Sequence, residues 1–295
     1  MLYDFNLNRC CACPRQCGAD RTKEKGFCGL GDKIRIARAA PHYWEEPCIS
    51  GQNGSGTVFF SGCNLGCAFC QNYEISSGCF GKDVSETRFR EILFELKSKG
   101  VHNINLVTAT PQLPLILPVL SEVKEQLFIP VVYNTGGYEK KTTVEALQDI
   151  VDVWLPDMKF FDPDVALKFA DAPDYPLIAL DAIEKMLENA GNIVIEDGLI
   201  KSGVIVRHLV LPGYRKDSIN VLKSLSDRFG TKGYYLSLMS QYTPNGAKGT
   251  PVRRLTSYEY ESVKDVALSL GFEGYFQEKS SAKEEYVPPF DLEGV

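Results

Sequence analysis

All ten cysteines of this 295-residue chain fall at or before Cys79, and the remaining 216 residues contain none. A disulfide scaffold normally staples a small secreted chain along its length. This chain is long enough to bury a substantial core without staples. Its N-terminus, MLYDFNLNRC, lacks the basic and greasy stretches of a signal peptide, and no apolar run approaches membrane-spanning length. The protein is therefore expected to be soluble and cytoplasmic, with thiols gathered for metal or iron–sulfur ligation. The balance of 38 acidic against 32 basic residues leaves a net charge of -6, which weighs against nonspecific binding to a phosphate backbone.

Beyond residue 80, short apolar runs alternate with longer amphipathic ones. Asn103–Thr108, Ile129–Tyr133, Val151–Leu155, Val204–Val210 and Tyr234–Met239 read as strands, and Thr57–Ser61 supplies another upstream. Between them, Ser85–Lys99, Pro114–Gln126, Thr143–Asp149, Tyr175–Asn189, Ser218–Phe229 and Tyr258–Leu270 read as helices. Ser85 is a good N-cap, and Gly100, Gly191, Gly230 and Gly271 are placed as helix stops. This alternation predicts one parallel α/β unit over residues 57–277; an open doubly wound sheet and a partial barrel both fit the order. Residues 1–56, cysteine-rich and with little periodicity, are expected to form a separate metal-binding region, and 278–295 a surface extension.

Directly after the first strand comes Gly62-Cys63-Asn64-Leu65-Gly66-Cys67-Ala68-Phe69-Cys70. Three thiolates this close can fold around one metal centre, with the glycines allowing the tight loop. An ordinary ferredoxin cluster or structural zinc site needs four ligands, and the nearest later candidate is Cys79. A second group, Cys10, Cys13, Cys17 and Cys28 with Cys11 beside them, has the reach to hold zinc or an auxiliary iron–sulfur cluster.

The Cys63–Cys70 loop resembles that of radical S-adenosylmethionine enzymes, including the aromatic Phe69 before the third cysteine. The resemblance implies a [4Fe–4S] cluster on Cys63, Cys67 and Cys70. Its fourth iron would be open to the amino and carboxylate groups of S-adenosylmethionine, and Phe69 would lie near the adenine. Over residues 57–245 the chain also resembles the activating enzymes of glycyl-radical proteins, those of pyruvate formate-lyase among them. The segments that carry this are Asp152–Lys159, Val206–Gly213 and Asn134-Thr135-Gly136-Gly137. The sequences GSGTVFF, FCQNYEIS and LPDMKF are similar to those of a wider activase-like group.

That likeness implies a partial (β/α)6 barrel with a cysteine-rich N-terminal extension. It implies cofactor contacts from Phe69, Thr108, Thr110, Asn134, Asp157, Lys159 and His208, most of them at carboxyl ends of the expected strands, where α/β folds gather their chemistry. Thr108-Ala109-Thr110-Pro111 stands where many relatives carry Gly-Gly-Glu, a departure in this chain. The implied activity is reductive cleavage of S-adenosylmethionine to a 5′-deoxyadenosyl radical that abstracts hydrogen from substrate. An electron donor such as flavodoxin or ferredoxin is implied with it. The substrate implied first is a backbone glycine of a partner glycyl-radical enzyme. A small molecule or another peptide residue is the alternative, and a noncatalytic iron–sulfur electron-transfer or interaction protein is the reading from a different class.

Overall fold

In the computed structural model, which describes residues 5–277 and 288–295, the six strands expected from the sequence all form and lie side by side. In chain order the strands are β1 (Ile34–His42), β2 (Ser55–Phe60), β3 (Lys82–Val84), β4 (Ile104–Val107), β5 (Val131–Thr135), β6 (Val153–Pro156), β7 (Val194–Glu196), β8 (Leu199–Leu209), β9 (Tyr235–Met239) and β10 (Gly274–Phe276). The helices are α1 (Pro47–Ser50), α2 (Tyr73–Ser76), α3 (Glu86–Ser98), α4 (Leu113–Leu127), α5 (Lys141–Ala146), α6 (Pro163–Ala170), α7 (Tyr175–Ala190), α8 (Arg215–Phe229) and α9 (Ser257–Leu270).

Strands β2, β4, β5, β6, β8, β9 and β10 run parallel in that order. Strand β1 adds antiparallel to β2, β3 continues from β1, and β7 pairs antiparallel with β8. The path is linear from β10 to β3, an α/β fold whose mixed sheet resembles a partial barrel. Each of β2, β4, β5 and β6 is buried at every position, because helices cover one face and the barrel interior the other. Helix α3 begins as its sequence dictates: the Ser85 hydroxyl accepts from the Arg88 N–H, and Phe89, Ile92, Leu93 and Leu96 are its buried face. Gly191, Gly230 and Gly271 close α7, α8 and α9 with positive φ.

Strand alternation separates two apolar layers. Tyr133, Trp154, Val204 and Val206 point outward into the main core under the helices. Val132, Val153, Leu155 and Ile205 point inward and pack with Cys48 and Ile49 of α1. That parity decides the orientation of every residue further along β5, β6 and β8.

Residues 1–56 do not stand apart as the sequence suggested, since β1 pairs with β2 from Ile36↔Phe60 to His42↔Ser55. Two arginines disguise this strand. Arg35 meets Asp83 at 2.7 Å and Arg38 meets Asp291 at 2.6 Å, so their charges are satisfied at its edge. Residues 288–295 return to the same strand: the Ala39 N–H donates to the Glu293 carbonyl at 2.8 Å and the Leu292 N–H to that of Ala37 at 3.1 Å. The rest of the expected C-terminal extension lies outside the described residues. No described helix is long and apolar enough to cross a membrane.

Candidate active site

The loop after β2 brings Cys63, Cys67, Phe69 and Cys70 to one cavity at the carboxyl end of the parallel strands. Gly62 opens the loop at φ +79, where a methyl group would meet Leu30 at 2.6 Å and the Cys28 carbonyl oxygen at 2.7 Å. Asn64 Nδ2 donates to the Tyr138 carbonyl at 2.7 Å, and Ala68 N donates to that of Phe169 at 2.8 Å. Each of two cysteine sulfurs already accepts a hydrogen bond: Leu65 N–H to Cys63 Sγ at 3.3 Å, and Ser76 Oγ to Cys70 Sγ at 3.3 Å. Burial pushes the Cys67 thiol up to about 12, with the Lys159 charge opposing and the neighbouring Cys63 and Cys70 reinforcing the shift. Burial likewise raises Cys70.

Cys79, the candidate fourth ligand, faces elsewhere. Its sulfur lies 3.7 Å from the Cys28 carbonyl and 4.0 Å from that of Ser76, and it does not line the cavity. The ring of Phe69 rests edge-on against Phe160 at 6.1 Å and Phe169 at 5.7 Å, with Tyr242 behind it at 6.3 Å.

The opposite wall is charged. Lys159 Nζ donates to Asp157 Oδ2 at 2.5 Å, and Arg207 Nε to Asp157 Oδ1 at 2.9 Å. Arg207 Nη2 donates to Asn134 Oδ1 at 2.6 Å, and Asn134 Nδ2 to Glu45 Oε1 at 3.0 Å. Glu45 also faces Arg207 Nη1 at 3.3 Å. Burial alone would raise the Asp157 carboxyl, but the Arg207 and Lys159 charges outweigh it and hold the group below its usual range. Burial alone would lower Lys159, but Asp157 and the nearby Cys67 outweigh it and raise the ammonium. Gly137, at φ +80, lets the end of β5 approach that of β6, because a methyl group there would overlap the Asp157 carbonyl oxygen. Tyr175 Oη ties the same two strand ends, 2.7 Å from the Asp157 carbonyl and 2.9 Å from that of Gly136.

Of the residues singled out in the sequence, Cys63, Cys67, Phe69, Cys70, Thr108, Asn134, Asp157 and Lys159 line this cavity together. Thr108 does so at φ +57, a costly conformation for a β-branched residue. Two of the residues singled out in the sequence, His208 and Thr110, do not line it. His208 lies on the outward parity of β8: its Nδ1 sits 2.6 Å from the Met158 carbonyl, so Nδ1 carries the proton, and its buried Nε2 has no partner among the described residues. Arg207, one residue earlier, takes the inward position. Thr110 turns away from the cavity as well and donates to Glu139 Oε1 at 2.5 Å.

Glu139 carries no signal in the sequence as a site residue. The Thr110, Thr135 and Tyr133 hydroxyls converge on its Oε1, its Oε2 has no partner among the described residues, and burial pushes the carboxyl up to about 7. Glu45 is equally unexpected; its only sequence signal is an acidic pair, Glu45-Glu46, between Trp44 and Pro47. Arg15 is the third such residue. It fastens the N-terminal segment to the Cys63–Cys70 loop, donating from Nε to the Asn64 carbonyl at 2.8 Å and from Nη2 to that of Leu65 at 3.1 Å. In the N-terminal group, burial pushes the Cys13 thiol up to about 12, with the Arg15 backbone opposing the shift and the Glu139 carboxyl, then Cys28 and Cys10, reinforcing it. Among the described residues, no three His, Cys, Asp or Glu side chains stand already assembled at metal-binding geometry.

Comparison with known proteins places these features in a family context. The sequence profile of the Radical SAM superfamily matches residues 57–225. An uncharacterized protein of Methanocaldococcus jannaschii is 30% identical over 272 residues, covering 88% of this chain and 75% of its own length. Among solved structures, Streptococcus suis SuiB bound to S-adenosylmethionine superposes with a TM-score of 0.52 at 15% identity, over 77% of this chain and 51% of SuiB. SuiB bound to its precursor peptide SuiA gives 0.50 at 15% identity, over 73% and 46%. The chain thus spans about half of SuiB, and at this identity the likeness is one of fold.

Proposed function

Because the chain belongs to the radical SAM superfamily and carries that catalytic domain over residues 57–225, we propose that it cleaves S-adenosylmethionine reductively and directs the resulting 5′-deoxyadenosyl radical at a C–H bond of a peptide substrate. The observation that carries this reading is the meeting of three cysteines and a charged wall in one cavity. The residues present fit a [4Fe–4S] cluster. Cys63, Cys67 and Cys70 supply three sulfurs, Leu65 N–H and Ser76 Oγ donate to two of them, Lys159 adds a positive charge nearby, and Cys79 is turned away.

When bound, such a cluster supplies one electron to the sulfonium and leaves one iron for the cofactor's amino and carboxylate groups. This chain's residues do the rest. Phe69, backed by Phe160 and Phe169, offers an apolar surface for the adenine. Asn134, Asp157, Lys159 and Arg207 are locked to one another before any ligand arrives, so they present a preorganised polar wall. Lys159 and Arg207 suit a carboxylate, and Asp157 suits an ammonium or hydroxyl group. Thr108 and Asn134 contribute further from adjacent strand ends, and the buried aromatic backing keeps water from the radical.

A peptide substrate, either a glycine of a glycyl-radical enzyme or another residue, is favoured by the resemblance to activating enzymes. The fold of SuiB, whose structure holds a precursor peptide, is in keeping with it. The anaerobically reconstituted protein, given dithionite and S-adenosylmethionine, should release 5′-deoxyadenosine. Sustained failure with an intact cluster would refute the enzymatic reading in favour of a noncatalytic electron-transfer protein. A glycine-centred doublet in electron paramagnetic resonance, on incubation with a candidate partner, distinguishes the activase from an enzyme acting at another residue or on a small molecule.

A further inference from the structure

The N-terminal segment holds a cation that no carboxylate neutralises among the described residues. Arg21 is only 2% exposed. Its Nε and Nη2 donate to the Gly31 carbonyl at 2.9 and 2.6 Å, and Nη1 donates to the Pro111 carbonyl at 2.7 Å. Nη1 also points to Cys10 Sγ at 3.9 Å. A guanidinium removed from water without an anion is unstable, and neutral carbonyls satisfy its hydrogens but not its charge.

Two further sulfurs lie beside the Arg21 side chain. A methyl group on Gly26 would sit 3.5 Å from Cys17 Sγ, 3.6 Å from Cys28 Sγ and 3.8 Å from Arg21 Cδ. Cys10 and Cys28 are both within electrostatic reach of Cys13, as is the buried Glu139 carboxyl, which adds to the negative charge on that side. Tight turns hold these residues in place: Gly18 N donates to the Cys10 carbonyl at 3.0 Å, Gln16 N to that of Cys13 at 3.0 Å, and Gly29 N to that of Gly26 at 2.9 Å. Few apolar side chains are buried here, chiefly Ala12, Ala19 and Leu30, so the segment has little hydrophobic core of its own.

We propose that Cys10, Cys13, Cys17 and Cys28 hold an anionic metal–thiolate centre with Arg21 as its buried counter-cation, seated directly behind the Cys63 loop. Four thiolates around zinc, or around an iron–sulfur cluster, leave net negative charge for the guanidinium to balance. Among the described residues these sulfurs do not meet at metal-binding geometry, and neither do those of Cys63, Cys67 and Cys70, so metal binding at either loop requires the cysteine side chains to draw together. The centre would stand against the catalytic loop through Leu30 and the Cys28 carbonyl on Gly62, and through Arg15 on Asn64 and Leu65. This assignment does not depend on the radical chemistry proposed above.

The test separates the two sites. A Cys63→Ser, Cys67→Ser, Cys70→Ser variant is reconstituted anaerobically with iron and sulfide, or loaded with zinc, then desalted. One centre per chain should remain, either as thiolate-to-iron absorption or as stoichiometric zinc. Alkylation followed by mass spectrometry, on the wild type as well, should find Cys10, Cys13, Cys17 and Cys28 protected while Cys11 is labelled. Arg21→Gln should weaken metal retention at least tenfold, and Arg21→Lys should restore most of it. Retention of neither metal, or labelling of the four cysteines as fast as Cys11 in loaded protein, would overturn the assignment even if Arg21→Gln failed to fold.

Discussion

Arg207 is the residue on which the charged wall turns, because it touches Asp157, Asn134 and Glu45 together. Its side chain is 15% exposed and that of Asp157 13%, so little water is available to replace it. Arg207→Met should leave Asp157 and Glu45 without their shared cation. We expect a loss of about 3–5 kcal/mol in urea unfolding, together with loss of S-adenosylmethionine binding by calorimetry. His208 makes a different prediction. Burial lowers its pKa from the usual 6.5 to about 4, so the folded protein keeps the imidazole neutral where an unfolded chain would protonate it. The resulting stability is present above the unfolded value of 6.5 and is lost as pH falls toward 4. That loss amounts to roughly 3 kcal/mol. His208→Asn, which keeps a donor for the Met158 carbonyl, should flatten that part of the stability profile. An unchanged slope would mean that His208 is not the group titrating.

At the scale of elements, the site depends on loops that cross close to strand ends. Gly137→Ala combines φ +80 with overlap of the Asp157 carbonyl, so it should separate the ends of β5 and β6. Gly66→Ala, at φ +67 with nothing within 4 Å, meets only backbone strain. The expected pattern is a loss of about 1 kcal/mol for Gly66→Ala with the iron content retained. Gly137→Ala should cost more and abolish cofactor binding. Equal effects in the two variants would show that close packing of the strand ends is not what Gly137 provides. The helices are legible in the sequence because burial and capping follow local rules, as Ser85, Gly191 and Gly230 demonstrate. Strand β1 is not legible there: its arginines break the apolar pattern, and its partners, β2 and residues 288–295, are remote in sequence.

At the scale of the whole molecule, the C-terminal residues help to complete the site. Phe290 packs edge-on against Phe59 at 5.7 Å, Pro288 lines the cavity, and Arg38 pairs with both Asp291 and Glu293. Removing residues 288–295 should uncover Phe59 and the β1 edge. Increased binding of a hydrophobic dye, and a fall of several degrees in Tm, of order 5 °C, are the expected results. No change in either would mean that the segment contributes nothing to closure.

From the order of amino acids alone follow the six parallel strands, the helices that punctuate them and the three-cysteine loop. The same order puts Asn134, Asp157 and Lys159 near strand ends. These are local properties, set by periodicity, caps and spacing within a few residues. The remaining features required the folded chain. A single residue of strand parity put Arg207 inside and His208 outside, insertion of the segment before α1 brought Glu45 into the wall, and folding back of the N-terminal segment set Arg21 among the sulfurs. Each depends on which remote surfaces meet, and burial gives a charge its partner only after that meeting has occurred.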